Sequence, residues 1–188
     1  LCVAFSPNGK TLASGSQDAS VKLWDVANRR LVATLPAHKN RVHWLAFSND
    51  GETLATAGDD GVKLWNAETH QLIFHLKEEK VARIVFSPVG TSLAIGFGHS
   101  VFPQITGGPT KLWDYVTHQV VKTFPEPGSR PAFSPDGKIL AAQSEYDTVK
   151  LWNVETGEEM RKLNGAGVVL CSRPMSAGDW TSVKAGDS

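Results

Sequence analysis

The chain has 188 residues, 41% of them apolar, with 19 basic and 19 acidic side chains. That is enough apolar matter for a substantial core, and the cancelled charge, with no run of one sign, excludes the electrostatic footprint of a nucleic-acid binder or of a binder of anionic membranes. Cys2 and Cys171 stand far apart without Cys-x-x-Cys spacing, so neither a disulfide framework nor a zinc knuckle is expected, and a reducing, cytoplasmic setting fits. No stretch reaches the about 20 apolar residues of a membrane span, and the first residues lack the charged and apolar regions of a secretory signal.

Taken in chain order, the first expected strand runs into Phe5 and is followed by the turn Ser6-Pro7-Asn8-Gly9. Pro presets φ for the first central turn position, Asn tolerates the left-handed region and Gly takes positive φ at little cost, so the chain reverses there. A small-residue strand begins at Leu12-Ala13, a polar turn surrounds Gln17 and Asp18, a third strand carries Val21-Lys22-Leu23-Trp24-Asp25, and a fourth covers Leu31 to Leu35. The same order then restarts three times. The turn block recurs at Phe47-Ser48-Asn49-Asp50-Gly51, Phe86-Ser87-Pro88-Val89-Gly90 and Phe133-Ser134-Pro135-Asp136-Gly137. The strand with Trp recurs at Val62–Asn66, Thr110–Asp114 and Val149–Asn153, with Trp-to-Trp spacings of 41, 48 and 39. Helical periodicity is not sustained anywhere, and the apolar fourth strands (Val32, Leu72, Phe74, Val120, Val121, Phe124) suit half-exposed outer positions.

Two blocks repeated four times at nearly constant spacing, each ending in Trp-Asp or Trp-Asn, resemble the tryptophan-aspartate or WD repeats, which form β-propellers of four antiparallel strands per blade. The resemblance spans residues 1–163 and implies an all-β fold with four blades, at 1–35, 36–76, 77–124 and 125–163. Residues 164–188 read as a degenerate tail or the start of a fifth blade. Because the chain enters a strand directly from Leu1, without Met, a longer parent protein and an incomplete, open propeller are expected. Open strand edges predict self-association.

By the same resemblance, a His, Ser or Thr, Asp and Trp network braces each blade. His38, Thr56, Asp60 and Trp65 match it in the second repeat, with Asp59 as the rival for the Asp role because that repeat is one residue shorter before its Trp. Ser14, Asp18 and Trp24 match in the first. The third and fourth repeats depart from it: Lys77 to Lys80 and Pro125 to Arg130 contain no His, Tyr146 stands where an Asp is expected, and Pro131 removes a backbone donor beside a strand.

Apparent catalytic motifs dissolve. Gly9-Lys10-Thr11 lacks the upstream Gly and following helix of a phosphate loop, and Gly96-x-Gly98 has Val101 at the third Gly position of a dinucleotide fingerprint. Of the six His residues, His38 fits the brace and His70, His75 and His118 fall at or near outer strands, and no nucleophile elbow occurs, so no metal, cofactor or catalytic site is expected. The third repeat carries eight extra residues, and its segment from Phe97 to Pro109 predicts a protruding loop with Phe97, Phe102 and Ile105 as candidate partner contacts. Arg41, Trp44, Gln17, Asp59 and Glu145 complete a candidate rim. The function implied is a non-catalytic platform for other proteins or peptides, against the alternatives of a regulatory segment of a larger signalling enzyme or a propeller hydrolase.

Overall fold

The computed structural model describes residues 2–101, 104–106, 108–127, 130–144 and 148–164. Within them the chain forms four separate four-stranded antiparallel sheets, each with its strands side by side in chain order, and no helix. The first blade comprises β1 (Cys2–Phe5), β2 (Thr11–Gly15), β3 (Val21–Asp25) and β4 (Arg30–Leu35), and the second β5 (Val42–Phe47), β6 (Thr53–Gly58), β7 (Gly61–Asn66) and β8 (Leu72–Leu76). The third contains β9 (Val81–Phe86) and β10 (Ser92–Phe97), then a two-stranded hairpin of β11 (His99–Val101) and β12 (Gln104–Thr106), then β13 (Pro109–Asp114) and β14 (Gln119–Pro127). The fourth consists of β15 (Ala132–Phe133), β16 (Ile139–Gln143), β17 (Thr148–Asn153) and β18 (Glu159–Asn164). β14 and β18 run past residues 124 and 163, where the spacing of the repeats placed their ends. β15 is only two residues long and begins directly after Pro131, which has no N–H to give to a ladder.

The blades are built to one register. Leu12 faces Trp24, Leu54 faces Trp65, Leu93 faces Trp113 and Leu140 faces Trp152 across the second and third strands. On the other side of every Trp strand the pairing slips between the Leu and the Trp, a bulge that recurs in all four blades and increases local twist.

Two polar devices fix the turns. In the Phe-Ser blocks the Ser is buried; the hydroxyls of Ser6, Ser48 and Ser134 each donate to the Asn or Asp two residues on and accept the backbone N–H five residues on. The left-handed position of these turns belongs to Gly9, Gly51, Gly90 and Gly137, whereas Asn8, Asp50 and Asp136 serve as acceptors. After each Trp, the Asp or Asn accepts backbone N–H groups from the next turn: Asp25 from Asn28, Asn66 from Glu68 and Thr69, Asp114 from Val116 and Thr117, and Asn153 from Glu155 and Thr156. Asp and Asn interchange there because the work requires only a side-chain oxygen.

The core lies between sheets. Ala13, Val21 and Leu23 of the first blade pack against Leu45, Leu54 and Trp65 of the second. Ala55, Ala57 and Leu64 of the second meet Ile84, Phe86, Leu93 and Trp113 of the third, and Ala94, Leu112 and Phe124 meet Leu140 and Trp152 of the fourth. Each sheet thus offers one face to the preceding blade and the other to the following one.

The four sheets do not close into a ring. What this leaves open is a sheet face rather than strand edges alone. Val3 is 68% exposed while its counterparts Leu45 and Ile84 are 3% and 0% exposed, and Phe5 is 61% exposed where its counterpart Phe86 is 7%, because a preceding blade covers the later residues. The 188-residue chain is expected to self-associate through this face. Light scattering should give a mass that rises with concentration, and Val3→Thr combined with Phe5→Ser should shift it toward the monomer; an unchanged dissociation midpoint in the double variant would place the association elsewhere.

Candidate functional site

The junction between the first two blades gathers most of the chemistry. Residues 36–41 cross from β4 to β5 as a strap tied to the first blade: the His38 N–H donates to the Ala19 carbonyl and the Val42 N–H to the Ser16 carbonyl, at 3.0 and 2.9 Å. This delivers the His38 side chain, fully enclosed, to the second blade. There its Nδ1 meets an Asp60 carboxylate oxygen, its Nε2 lies 2.9 Å from the Thr56 hydroxyl, and the Trp65 indole N–H donates to that hydroxyl at 3.1 Å. The donors run in one direction: Trp65 to Thr56, Thr56 to His38, His38 to Asp60. Lys63 closes the chain, its ammonium 3.2 Å from the second Asp60 oxygen and donating to the Ala37 carbonyl of the strap.

Burial pushes the His38 pKa below its ordinary 6.5, outweighing the opposite pull of Asp60. Burial alone would raise the Asp60 carboxyl, but the His38 hydrogen bond and the Lys63 ammonium hold it below the usual carboxylate value. A neutral His38 with the proton on Nδ1 pairs both ring nitrogens, donating to Asp60 and accepting from the Thr56 hydroxyl. Gly58 makes the room: a Cβ there would stand 2.5 Å from the His38 ring.

Asp59, the rival for the Asp60 role, turns the other way and accepts from His43 Nε2 at 2.5 Å, which lowers its pKa. A bulge brings this about, since Val42 pairs with Gly58 and Trp44 with Ala57, leaving His43 as the extra residue. In the first blade the Trp24 indole donates to the Ser14 hydroxyl at 2.9 Å, but Asp18 stands apart, accepting from the Ser20 N–H and hydroxyl within its own turn.

Over the strap lies an open cleft of about 520 Å³ lined by Gln17, Asp18, Ala19, Lys39, Asn40, Arg41 and Asp59. Three rim candidates, Gln17, Arg41 and Asp59, therefore share one surface contributed by two blades. Among the described residues, Trp44, Phe97 and Ile105 do not join it. Phe97 is a correction: it ends β10 and is 6% exposed, packed in the core between the second and third blades rather than presented on a loop. Register makes it the counterpart of Gly58, since each pairs with the first Val of its inner strand, and Ile95 is likewise the counterpart of Thr56. An aromatic wedge thus stands where the second blade holds an imidazole, and Lys111 pairs with Glu78 at 2.6 Å beside it. Ala142 takes the Thr56 place in the fourth blade. Ile105 lies in the β11–β12 hairpin opposite Ser100. Phe102, Glu145 and Tyr146 lie outside the described residues. Trp44 is half-buried against the second core cluster with the Arg83 guanidinium 4.4 Å from its ring centre.

The residues that pattern reading passed over are Lys63, Gly58, His43, Lys39 and Asn40. Lys63 had a signal, the Lys that precedes Leu-Trp in every repeat; the others depend on a bulge and a strap with no local signature.

Stacked four-stranded blades, register-matched tryptophans and a His–Thr–Asp–Trp brace define a partial β-propeller. Comparison with known proteins agrees: the family described as WD domain, G-beta repeat, matches residues 1–25, 29–66 and 130–153. Over those residues the chain carries WD repeats, and its blades have the architecture of a WD-repeat propeller. Periodic tryptophan protein 2 homolog of Dictyostelium discoideum is 28% identical over 177 residues, covering 89% of this chain and 18% of that protein. Nuclear distribution protein PAC1 of Arthroderma otae is 29% identical, covering 88% of this chain and 38% of that protein. Small ribosomal subunit protein RACK1y of Oryza sativa subsp. japonica is 30% identical, covering 81% and 47%. The chain thus spans less than half the length of each of these relatives. The third blade, with its extra hairpin, lies between the matched segments yet forms the same sheet.

Thr56→Val removes one hydroxyl and leaves the Trp65 donor and the His38 acceptor unpaired, so a loss of about 2–4 kcal/mol in denaturant unfolding is expected. Ser14→Ala should cost less, because Trp24 is half-exposed and water can replace the hydroxyl. The brace also carries a pH dependence. With the folded-state pKa of His38 depressed, the unfolded chain takes up the proton first, so stability is full above about 6.5 and falls as pH drops below it. Urea midpoints measured from pH 8 to 5 should decline in that window, and His38→Gln should flatten the decline; an equal slope in the variant would show that other groups are responsible.

Proposed function

We propose that this chain is a non-catalytic platform for protein partners, and that the cleft between the first two blades is a docking surface. The observation that carries the reading is the convergence of Gln17 and Asp18 from one blade, Lys39, Asn40 and Arg41 from the strap, and Asp59 from the next blade on one open surface above a hydrogen-bonded brace. Side chains held on a rigid frame lose little freedom when a partner docks, and mixed charge with several amide and guanidinium donors suits an extended polypeptide. The match to WD repeats supports the same reading at the level of the class. The balanced net charge favours protein partners over nucleic acid or anionic membrane, and the spacing of the two cysteines favours a cytoplasmic setting.

Lys39→Glu combined with Arg41→Glu reverses the cleft's cationic side without touching the brace. Proteins retained by the immobilised wild-type chain and identified by mass spectrometry are expected to be depleted on the double variant, with the melting temperature of the variant unchanged. A partner set identical on both would remove the cleft from the reading.

A further inference from the structure

The inner strands carry a second polar cluster, separate from the brace and the cleft. Trp44, Arg83 and Arg130 each stand three residues before the Phe that ends the first strand of its blade, so the second, third and fourth blades contribute one residue each at equivalent positions. β9 repeats the β5 bulge, with Ala82 as the extra residue where β5 has His43, and Arg83 comes to lie over the Trp44 ring at 4.4 Å. Arg83 Nε is buried and has no hydrogen-bond partner. Neither Arg83 nor Arg130 forms an ion pair among the described residues, although Lys63, Lys111 and Lys150 all do. Burial and the nearby positive charge of Arg130 both lower the Arg83 pKa.

A half-buried guanidinium with an orphaned donor and a second positive charge in its surroundings costs the fold stability, against which its contact with the Trp44 ring is a partial gain. The contact with the Trp44 ring holds the Arg83 guanidinium in place, and its N–H groups make no hydrogen bond among the described residues. A guanidinium edge is a planar fork matched to a carboxylate or phosphate, and a second guanidinium beside it matches the remaining oxygens. We infer that Arg83 and Arg130, with Trp44 as the platform, form an oxyanion site that receives an acidic side chain, carboxylate or phosphorylated, of a protein partner. The inference rests on the protein-binding reading above and adds the chemistry of what is recognised.

Fluorescence anisotropy with three labelled peptides of equal length, one rich in Glu, one carrying phosphoserine and one with Gln in their place, tests it on the 188-residue chain. At least one of the first two should bind about tenfold or more tighter than the Gln peptide, and which one does identifies the oxyanion. Arg83→Gln and Arg130→Gln should each weaken that binding about tenfold. Inorganic phosphate should raise the melting temperature of the wild-type chain and not that of Arg83→Gln, whose own melting temperature without phosphate should equal or exceed the wild type's. Equal binding of all three peptides, or undiminished binding by Arg83→Gln, would overturn the site. Partner capture run in parallel separates the two failures: retained capture with no peptide discrimination sinks the oxyanion site alone, while loss of capture by the wild-type chain sinks the platform reading.

Discussion

Each sheet in this chain is apolar on both faces, and four narrow strands cannot bury two faces alone. Stability therefore comes from the spaces between sheets, where Leu23, Leu64 and Leu112 on one side meet Trp65, Trp113 and Trp152 on the other. The repeat follows from this constraint. A sheet that must match a neighbour on either side is driven to the same register and the same residue sizes, which is why every Trp faces a Leu across the same strand pair. It also explains where variation is tolerated. Outward turns contribute little to the interface and are free to carry polar chemistry, and the strap at 36–41 divides the two tasks, burying Ala37 and His38 between the blades while Lys39, Asn40 and Arg41 line the cleft.

The blades solve the same internal problem in two ways. The second uses a polar brace, in which Trp65, Thr56, His38 and Asp60 pass hydrogen bonds along one line and Lys63 neutralises the end. The third drops the imidazole and the hydroxyl together, placing Phe97 and Ile95 at the matching positions and pairing Lys111 with Glu78. A polar chain gives directional order but titrates; an apolar wedge is indifferent to pH. The junction of the first two blades is accordingly a place where proton uptake and packing are linked.

Much of this was legible in the sequence because it is carried by periodic residues. Four Trp strands, four Phe-Ser turn blocks and the order of strands per repeat follow from spacing alone, as does the pairing of the departures in repeats three and four with missing His and Asp. What was not legible depends on single-residue slips or on contacts across the gap between blades. The bulge that points His43 at Asp59 leaves no mark in the residues around it. Phe97 reads as a loop residue by its place beside an insertion, yet the sheet ends one residue later and buries it. Asp18 fits the brace by position, yet its own turn takes its oxygens. Ser48 looks like a turn residue of ordinary solubility, and only its complete burial reveals that the turn is organised around its hydroxyl. Arg83 and Arg130 lie 47 positions apart and become a pair only once the blades are set side by side.

The exchange of Gly58 for Phe97 at matched positions constrains how such a chain can change. A side chain larger than hydrogen at 58 collides with the His38 ring, while an empty place at 97 would leave a void in the core. Neither blade can drift toward the other's solution by one replacement at a time. Residues 38, 56 and 58 form an epistatic set that must alter together, so neighbouring blades of one ancestry can remain locked in different chemistries long after the rest of their sequences have diverged.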